Sequence, residues 1–269
     1  MEYYGMTDIG RKRAANQDNF TIKEYPGGVT LAVVCDGMGG ANGGATASSV
    51  AVSAFVDHID GYSDVLSGDA ASADGGEKGD GKERVSVPDL LSDAVSAANL
   101  AVYALGVSDP SLYGMGTTLV AALSTEDRIC VVNVGDSRLY LIDRDGIRQI
   151  TRDHSYVQHL VDLGRLSPRK ARTARNKNII TRAVGTEETV KPDVFTIERV
   201  SPSEVGGNRY ILLCSDGLTN MADPEDIAKI VMSPEKPTKE SLRISAEKLV
   251  KLANDRGGAD NITAVILAY

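Results

Sequence analysis

Aspartates stand beside the apolar runs of this chain in a repeated arrangement. Asp36, Asp136 and Asp216 each end a run that is typical of a buried strand, and Asp260 comes just before the last such run. Each lies within two residues of a glycine, and a single Asp-Gly pair is typical of a turn. Four clustered carboxylates would repel one another and be costly to bury, and a divalent cation relieves both problems. The pattern therefore predicts that these strand ends converge on a metal centre.

The types of ligand indicate a hard metal ion. Carboxylate oxygens suit Mg²⁺ or Mn²⁺, and the sequence has no Cys/His spacing typical of zinc sites. Arg13 lies in the polar stretch 7–20. A solvated arginine is one interpretation of it; beside a metal site, its forked guanidinium would suit a phosphate dianion. Arg11 and Lys12 are neighbouring alternatives for that role.

The glycine cluster at 37–44 invites a nucleotide-binding interpretation that its spacing does not support. Counted from Gly37, the third glycine of a dinucleotide fingerprint is replaced by Asn42, and Asp36 would face a pyrophosphate with negative charge. No Gly-Lys-Ser/Thr sequence occurs, which excludes a P-loop. We expect instead a sharp backbone bend that lets a carbonyl such as that of Gly37 reach a metal.

Other chemistries receive little support. The nucleophile elbow Gly-x-Ser-x-Gly is absent. A basic segment, 165–182, contains no acid; it is either a solvated helix and loop or a surface that steers an anionic substrate. The three histidines show no triad or metal spacing and are interpreted as structural: His58, His154 and His159.

Composition narrows the setting of the protein. The 269 residues carry a formal net charge of −8, which argues against broad nucleic-acid binding. Three cysteines lie inside apolar runs, so we expect buried free thiols and a reducing, cytoplasmic compartment: Cys35, Cys130 and Cys214. The first residues do not resemble a signal peptide, and no apolar run approaches the length of a membrane span.

Periodicity places these residues on strands and helices. Strands are predicted at 29–35, 117–124, 129–134, 139–142, 147–150, 195–200, 209–214 and 261–269, with a short one beginning near 21–24. Helices are predicted at 45–59, 88–105, 155–163, 223–232 and 241–254. The middle of the chain is expected to be antiparallel because a hairpin turn joins two of its strands. The glycine-rich segment at about 60–87 is predicted to be a mobile insertion within one domain.

Several segments share one order along the chain with a known family. They are Thr7–Asp18, Cys35–Gly40, Gly116–Thr118, Val134–Arg138, Ile179–Gly185, Cys214–Leu218 and Gly257–Asn261. Together they resemble the metal-dependent protein phosphatases of type 2C, in particular the compact bacterial serine/threonine phosphatases. The resemblance implies an α+β fold, a four-layer αββα sandwich in which two antiparallel sheets are flanked by helices. It also implies a single catalytic domain over 1–269, with a flap region at about 155–190.

The resemblance also implies a role for each acidic residue. Asp36 would bridge two metal ions, and the carbonyl of Gly37 would bind one of them. Asp216 and Asp260 would complete one shell, and Asp18 would support the other ion through water. The expected ions are Mn²⁺ or Mg²⁺, two of them in the core site.

Further implied roles concern a third ion and the substrate. Asp136 would help to hold a third, weaker ion that bacterial members bind, and Arg13 would clamp the substrate phosphate. Three positions depart from common family patterns. Met38 replaces the histidine of eukaryotic members, Gln17 replaces a glutamate and Asn220 replaces an aspartate.

The implied activity is hydrolysis of phosphoserine and phosphothreonine by direct attack of a metal-bridging water. Expected partners are phosphorylated proteins, namely the substrates of a serine/threonine kinase and the kinase itself. No nucleic acid or membrane is expected as a partner, and a monomer is the default expectation. One alternative is a pseudophosphatase acting as a regulatory binding module. Another is a phosphatase directed at an anti-sigma-factor antagonist.

Overall fold

A computed structural model describes residues 1–66, 86–199 and 207–269. Most of the segment predicted to be a mobile insertion, 67–85, lies outside the described residues. The end of the strand predicted at 195–200 does so too.

Eleven strands of the described chain form two sheets, and every pairing between them is antiparallel. The strands are β1 (Glu2–Asp8), β2 (Asp18–Tyr25), β3 (Val29–Met38), β4 (Gly116–Thr117), β5 (Leu119–Ser124), β6 (Arg128–Val134), β7 (Arg138–Asp143), β8 (Gly146–Gln149), β9 (Asp193–Glu198), β10 (Tyr210–Cys214) and β11 (Ile262–Ala268). One sheet has the order β1-β11-β10-β7-β8. The other has the order β2-β3-β5-β6-β9, with β4 paired to the end of β3.

Helices cover the outer faces of the sheets. They are α1 (Gly40–Asp60), α2 (Ser63–Leu66), α3 (Val87–Ser108), α4 (Tyr156–Asp162), α5 (Pro168–Ala171), α6 (Asp216–Thr219), α7 (Pro224–Val231) and α8 (Lys239–Asp255). Local sequence explains where the long helices begin. The Ser86 side chain accepts a hydrogen bond from the Asp89 amide at the start of α3, and Thr238 and Ser241 form a capping box on α8.

Alternation along β3 shows how the layers stack. Leu31 and Val33 face α1 and α3, whereas Ala32 and Val34 face the other sheet, as expected for side chains of period two. A third apolar layer lies between β10, β11 and the helices α7 and α8. The predicted α+β fold, a four-layer αββα sandwich, is confirmed.

Strand β1 was not predicted from the sequence. None of its residues is buried, so it lacks the apolar signal by which the other strands were recognised. It pairs along its whole length with β11, from Glu2 opposite Ala268 to Asp8 opposite Ile262. The partner strand, remote in sequence, therefore determines its conformation.

Two helices differ from simple expectation. Helix α1 begins at Gly40 and not at residue 45, so most of the glycine cluster is helical and the bend is confined to Gly39 and Gly40, which have positive φ. Helix α3 is long and apolar enough to cross a membrane by length and composition. It packs against α1, and its residues Leu91 and Val95 are fully buried. Its apolar character is therefore explained by burial in the hydrophobic core.

Candidate metal centre

The predicted aspartates lie at one end of the two sheets. Asp18 and Asp36 are directly opposite each other on β2 and β3. Asp216 begins α6 immediately after β10, Asp136 lies in the turn between β6 and β7, and Asp260 precedes β11. A pocket of about 430 Å³ at this end is lined by Arg13, Gln17, Asp36, Gly37, Met38, Gly39, Gly40, Thr118, Asp136, Asn178, Ile180, Asp216 and Asp260.

The lining of this pocket, which we call the acidic pocket, is unbalanced in charge. Four carboxylates face a single guanidinium, that of Arg13. Arg13 Nη2 lies 2.7 Å from Asp260 Oδ2, and this hydrogen bond raises the pKa of Arg13. The structure thus brings together Arg13, Gly37 and four of the five predicted acids, and places the fifth, Asp18, directly behind them.

The backbone of Asp36 is held tightly, which leaves its carboxylate to face the pocket. Its amide donates to Thr118 Oγ1 (2.9 Å). Its carbonyl accepts from Thr117 Oγ1 (2.9 Å) and from the Thr118 amide (2.8 Å). Thr118 is itself within 2.7 Å of the Ser137 hydroxyl. These contacts explain why the Gly-Thr-Thr segment accompanies the acidic motifs.

Asp18 connects the two sheets behind the pocket. Its Oδ2 accepts hydrogen bonds from Ser215 Oγ (2.7 Å) and Thr263 Oγ1 (2.6 Å), both on the other sheet's side. Its Oδ1 is buried and has no hydrogen-bond partner among the described residues. Burial raises the pKa of Asp18 to about 6, although the two hydroxyl bonds oppose the shift.

Asp216 has a similar environment on the opposite side. Asn220 Nδ2 donates to its Oδ2 (2.8 Å), and Lys177 Nζ donates in turn to Asn220 Oδ1 (2.8 Å). The other oxygen, Oδ1, is buried and has no partner within the described part of the chain. Burial, and then the nearby Asp260 carboxylate, raises the pKa of Asp216 to about 6.

Two further carboxyl groups are destabilised in their charged forms. Burial raises the pKa of Asp36 well above its ordinary value, and the neighbouring Asp18 and Asp216 add to the shift. Burial, and then Asp216, raises the pKa of Asp136 to about 8. Together with the unpartnered oxygens, this repulsion is what a divalent cation would relieve, so the donor set fits Mn²⁺ or Mg²⁺.

The side chains are not arranged as a finished coordination shell. Asp260 turns toward Arg13 and Asp216 toward Asn220. In the described ranges, no group of three acidic, histidine or cysteine side chains is placed to hold one ion as the side chains stand. If the Asp260 side chain rotated away from Arg13, its carboxylate would be free to bind a metal ion, and the guanidinium of Arg13 would be free to bind a phosphate.

The loop that carries Arg13 is organised by one amide side chain. Asn261 Nδ2 donates to the carbonyls of Ile9 and Ala15, and Asn261 Oδ1 accepts from the Gln17 amide (2.9 Å). Sequence reasoning did not identify this positioning role. The one available signal was the place of Asn261 directly after a predicted metal aspartate.

The flap contributes to the acidic pocket through Asn178 and Ile180, which sequence reasoning did not single out. None of the three histidines lines the pocket. His154 is nevertheless buried: the Gly135 amide donates to its Nδ1 (3.0 Å), and its Nε2 lies 3.1 Å from Asp193 Oδ2 and 3.0 Å from Arg182 Nη1. Burial lowers the pKa of His154. His154 therefore ties the turn before Asp136 to the base of the flap.

Comparison with known proteins identifies the class. The family described as protein phosphatase 2C matches residues 9–251, and the chain belongs to that family. Among its relatives, the serine/threonine phosphatase stp of Listeria innocua is 34% identical over 261 residues, which cover 97% of this chain and 93% of the relative.

Solved structures agree with the sequence relatives. The serine/threonine phosphatase PstP/Ppp of Mycobacterium tuberculosis superimposes with a TM-score of 0.80 at 32% identity, covering 99% of this chain and 97% of that one. The PstP catalytic domain in complex with two manganese ions gives a TM-score of 0.76 at 32% identity, with 99% and 96% coverage.

Proposed function

We propose that this protein is a metal-dependent protein phosphatase that hydrolyses phosphoserine and phosphothreonine. The observation that carries the proposal is the acidic pocket, where carboxylates from both sheets face one guanidinium. Membership of the protein phosphatase 2C family supports it, as does the name of the Listeria relative. No observation favours the alternative of a pseudophosphatase.

The chain's own residues supply the ligands. Asp36, the Gly37 carbonyl, Asp216 and Asp260 would hold two ions, and Asp18 would support the second through water. Asp136 would contribute to a third, weaker site. When bound, such ions lower the pKa of a coordinated water and neutralise charge on the phosphate. The manganese-bound PstP relative supports Mn²⁺ as a cofactor.

Arg13 would bind the substrate phosphate. Its side chain is half-exposed at the rim of the acidic pocket, and among the described residues it forms a hydrogen bond and ion pair only with Asp260. A forked guanidinium binds two phosphate oxygens at once and stabilises the charge that grows on them. Met38 lines the pocket but has no proton to give. Among the described residues, no histidine, lysine or tyrosine lines the pocket, so we assign protonation of the leaving oxygen to water.

The experiment compares wild type with Asp260→Asn on a phosphothreonine peptide, first with Mn²⁺ and then with EDTA. We expect phosphate release that requires Mn²⁺ and collapses in the variant. If wild type binds Mn²⁺ by calorimetry but releases no phosphate, the enzyme assignment fails and the binding-module alternative takes its place.

The wider setting is part of the same proposal. Substrates are phosphorylated proteins, including those of a serine/threonine kinase and the kinase itself, and the protein acts as a single-domain monomer. Three buried free cysteines are consistent with a reducing, cytoplasmic compartment. An anti-sigma-factor antagonist as the substrate would use the same chemistry.

A further inference from the structure

A second cavity adjoins the acidic pocket. It has a volume of about 280 Å³ and lies between β7, β8 and the helices α4 and α5 of the flap. Asp136 and Asp216 line both cavities. The two spaces are therefore neighbours separated by a wall that they share.

The cations around this second cavity differ in how far they are already neutralised. Arg138 makes a forked ion pair with Asp153, with Nη2 2.6 Å from Oδ2 and Nε 2.9 Å from Oδ1. Arg172 pairs with Asp223 (2.6 Å). The positive charges of these two guanidiniums are neutralised by carboxylates of the protein. The two side chains therefore form part of the cavity wall and attract an anionic ligand only weakly.

Two other cations make no ion pair with a carboxylate within the described part of the chain, although Lys177 lies near enough to Asp216 to lower the pKa of that carboxyl group. Arg169 is exposed and makes no side-chain hydrogen bond or ion pair within the described part of the chain. Lys177 donates to the neutral amide of Asn220. Because Asp136 and Asp216 are assigned to the metal centre, their charge is committed elsewhere. With those two carboxylates bound to metal, Arg169 and Lys177 would leave the cavity with an excess of positive charge in a protein whose net charge is −8.

The walls of the cavity strengthen that attraction. Val157, Val161 and Pro168 form an apolar part of the lining. An ion pair beside apolar walls is less screened than one in open solvent. A ligand with anionic oxygens is the chemistry that this lining would retain.

We infer that the second cavity is an anion subsite, which binds an acidic side chain or a second phosphoryl group of the substrate. The inference rests on the proposed phosphatase function. Because the cavities share a wall, both groups belong to one peptide. An extended chain advances about 3.3 Å per residue, so the second anion lies within a few residues of the phosphorylated one.

The test measures kcat/KM for phosphothreonine peptides that carry one glutamate, or one phosphoserine, at successive positions on either side of the phosphothreonine. A peptide with neutral flanks is the reference. We expect wild type to prefer the anionic peptide about fivefold at one position. If glutamate and phosphoserine both raise kcat/KM, the subsite binds oxyanions in general. If phosphoserine alone raises kcat/KM, the subsite binds phosphoryl groups.

Two flap variants decide whether the cavity is responsible. Arg169→Ala removes one of the two charges that line it, and we expect the preference to fall from about fivefold to about twofold or less. Lys170→Ala removes an equal charge from the exposed neighbouring residue, which does not line the cavity, and should keep the preference. Equal losses in both variants would indicate general electrostatic steering and overturn the subsite. So would a wild type without any preference.

Failure of the proposed function has a different signature. A wild type that hydrolyses neither the neutral peptide nor p-nitrophenyl phosphate with Mn²⁺ present would refute the phosphatase activity itself. Hydrolysis of both without a flank preference would refute only the subsite.

Discussion

At the scale of single residues, buried charge dominates the acidic pocket. The charge of Asp36 is disfavoured, since burial and the neighbouring carboxylates of Asp18 and Asp216 raise its pKa well above the ordinary value. The same residue is held through its backbone by two threonines. Its side chain is therefore fixed in a position that costs free energy without a cation.

Replacing Asp36 by Asn should separate catalysis from folding. We expect kcat/KM with Mn²⁺ to fall by about a thousandfold, because a shared ligand is lost. In EDTA the variant should unfold at a temperature equal to or above that of wild type, because a repelled charge is gone. Peptide hydrolysis and thermal unfolding measure the two effects, and unchanged turnover would refute the bridging role.

Replacing His154 by Ala should expose its role in holding the Gly135 turn. The variant leaves the Gly135 amide without its acceptor, which costs about 1–3 kcal/mol of unfolding free energy. The folded pKa of His154 lies below its ordinary value of about 6.5. The stabilisation that the neutral His154 ring contributes is therefore complete above a pH of about 6.5 and is lost as the pH falls through the pKa of His154 in the folded protein.

Urea unfolding of wild type and the His154 variant at about pH 8 and about pH 5 tests this. The difference in unfolding free energy between wild type and His154→Ala should be smaller at the lower pH. His159→Ala, at an exposed position on α4, is the matched control and should show little gap at either pH. A gap for His154→Ala that is independent of pH would contradict the neutral-ring interpretation.

At the scale of helices and strands, the sequence predicted those elements whose conformation is determined by a local pattern of residues. Apolar runs that end in aspartate located β3, β10 and the turn after β6, and so the acidic pocket. The closing of the two sheets into a sandwich came from resemblance, because periodicity does not specify which strands pair. Strand β1 and the contacts of Asn261 depend on partners more than 240 positions away, which no local pattern encodes.

Helix α1 approaches the acidic pocket so closely at Gly44 that a larger side chain there would not fit. A Cβ on Gly44 would lie 2.7 Å from Gln17 Cδ and 2.8 Å from the Gly37 carbonyl oxygen. Gly44→Ala should therefore cost about 1–3 kcal/mol of stability and lower activity by displacing a predicted ligand. Gly43→Ala is the control: its Cβ meets only Met115, at 3.2 Å or more, and gains the same helix propensity. Urea unfolding and peptide hydrolysis would rank the two variants, and equal effects would contradict this account.

At the scale of the whole molecule, the proposed metal binding would be coupled to folding. The predicted ligands come from both sheets and do not converge in an unfolded chain, so an ion that binds the native state stabilises it. An ion at a hundred times its Kd adds about 2.7 kcal/mol.

We therefore expect Mn²⁺ to raise the melting temperature by about 5 °C or more. Potassium chloride at matched ionic strength is the control, because it screens repulsion among the acids without coordinating them. An equal rise with both salts would show that screening, not binding, is responsible.

The pairing of β1 with β11 also has a consequence for protein synthesis. Arg13 and Asp260 are 247 positions apart, and Asp18 meets Thr263 across 245. A chain still being made on the ribosome contains Arg13, Asp18 and Asp36 long before the strand β11 that completes their surroundings. Contacts of such sequence separation form late. If Asp260 has the proposed role, we expect each new molecule to be inactive until the region around Asp260 has left the ribosome.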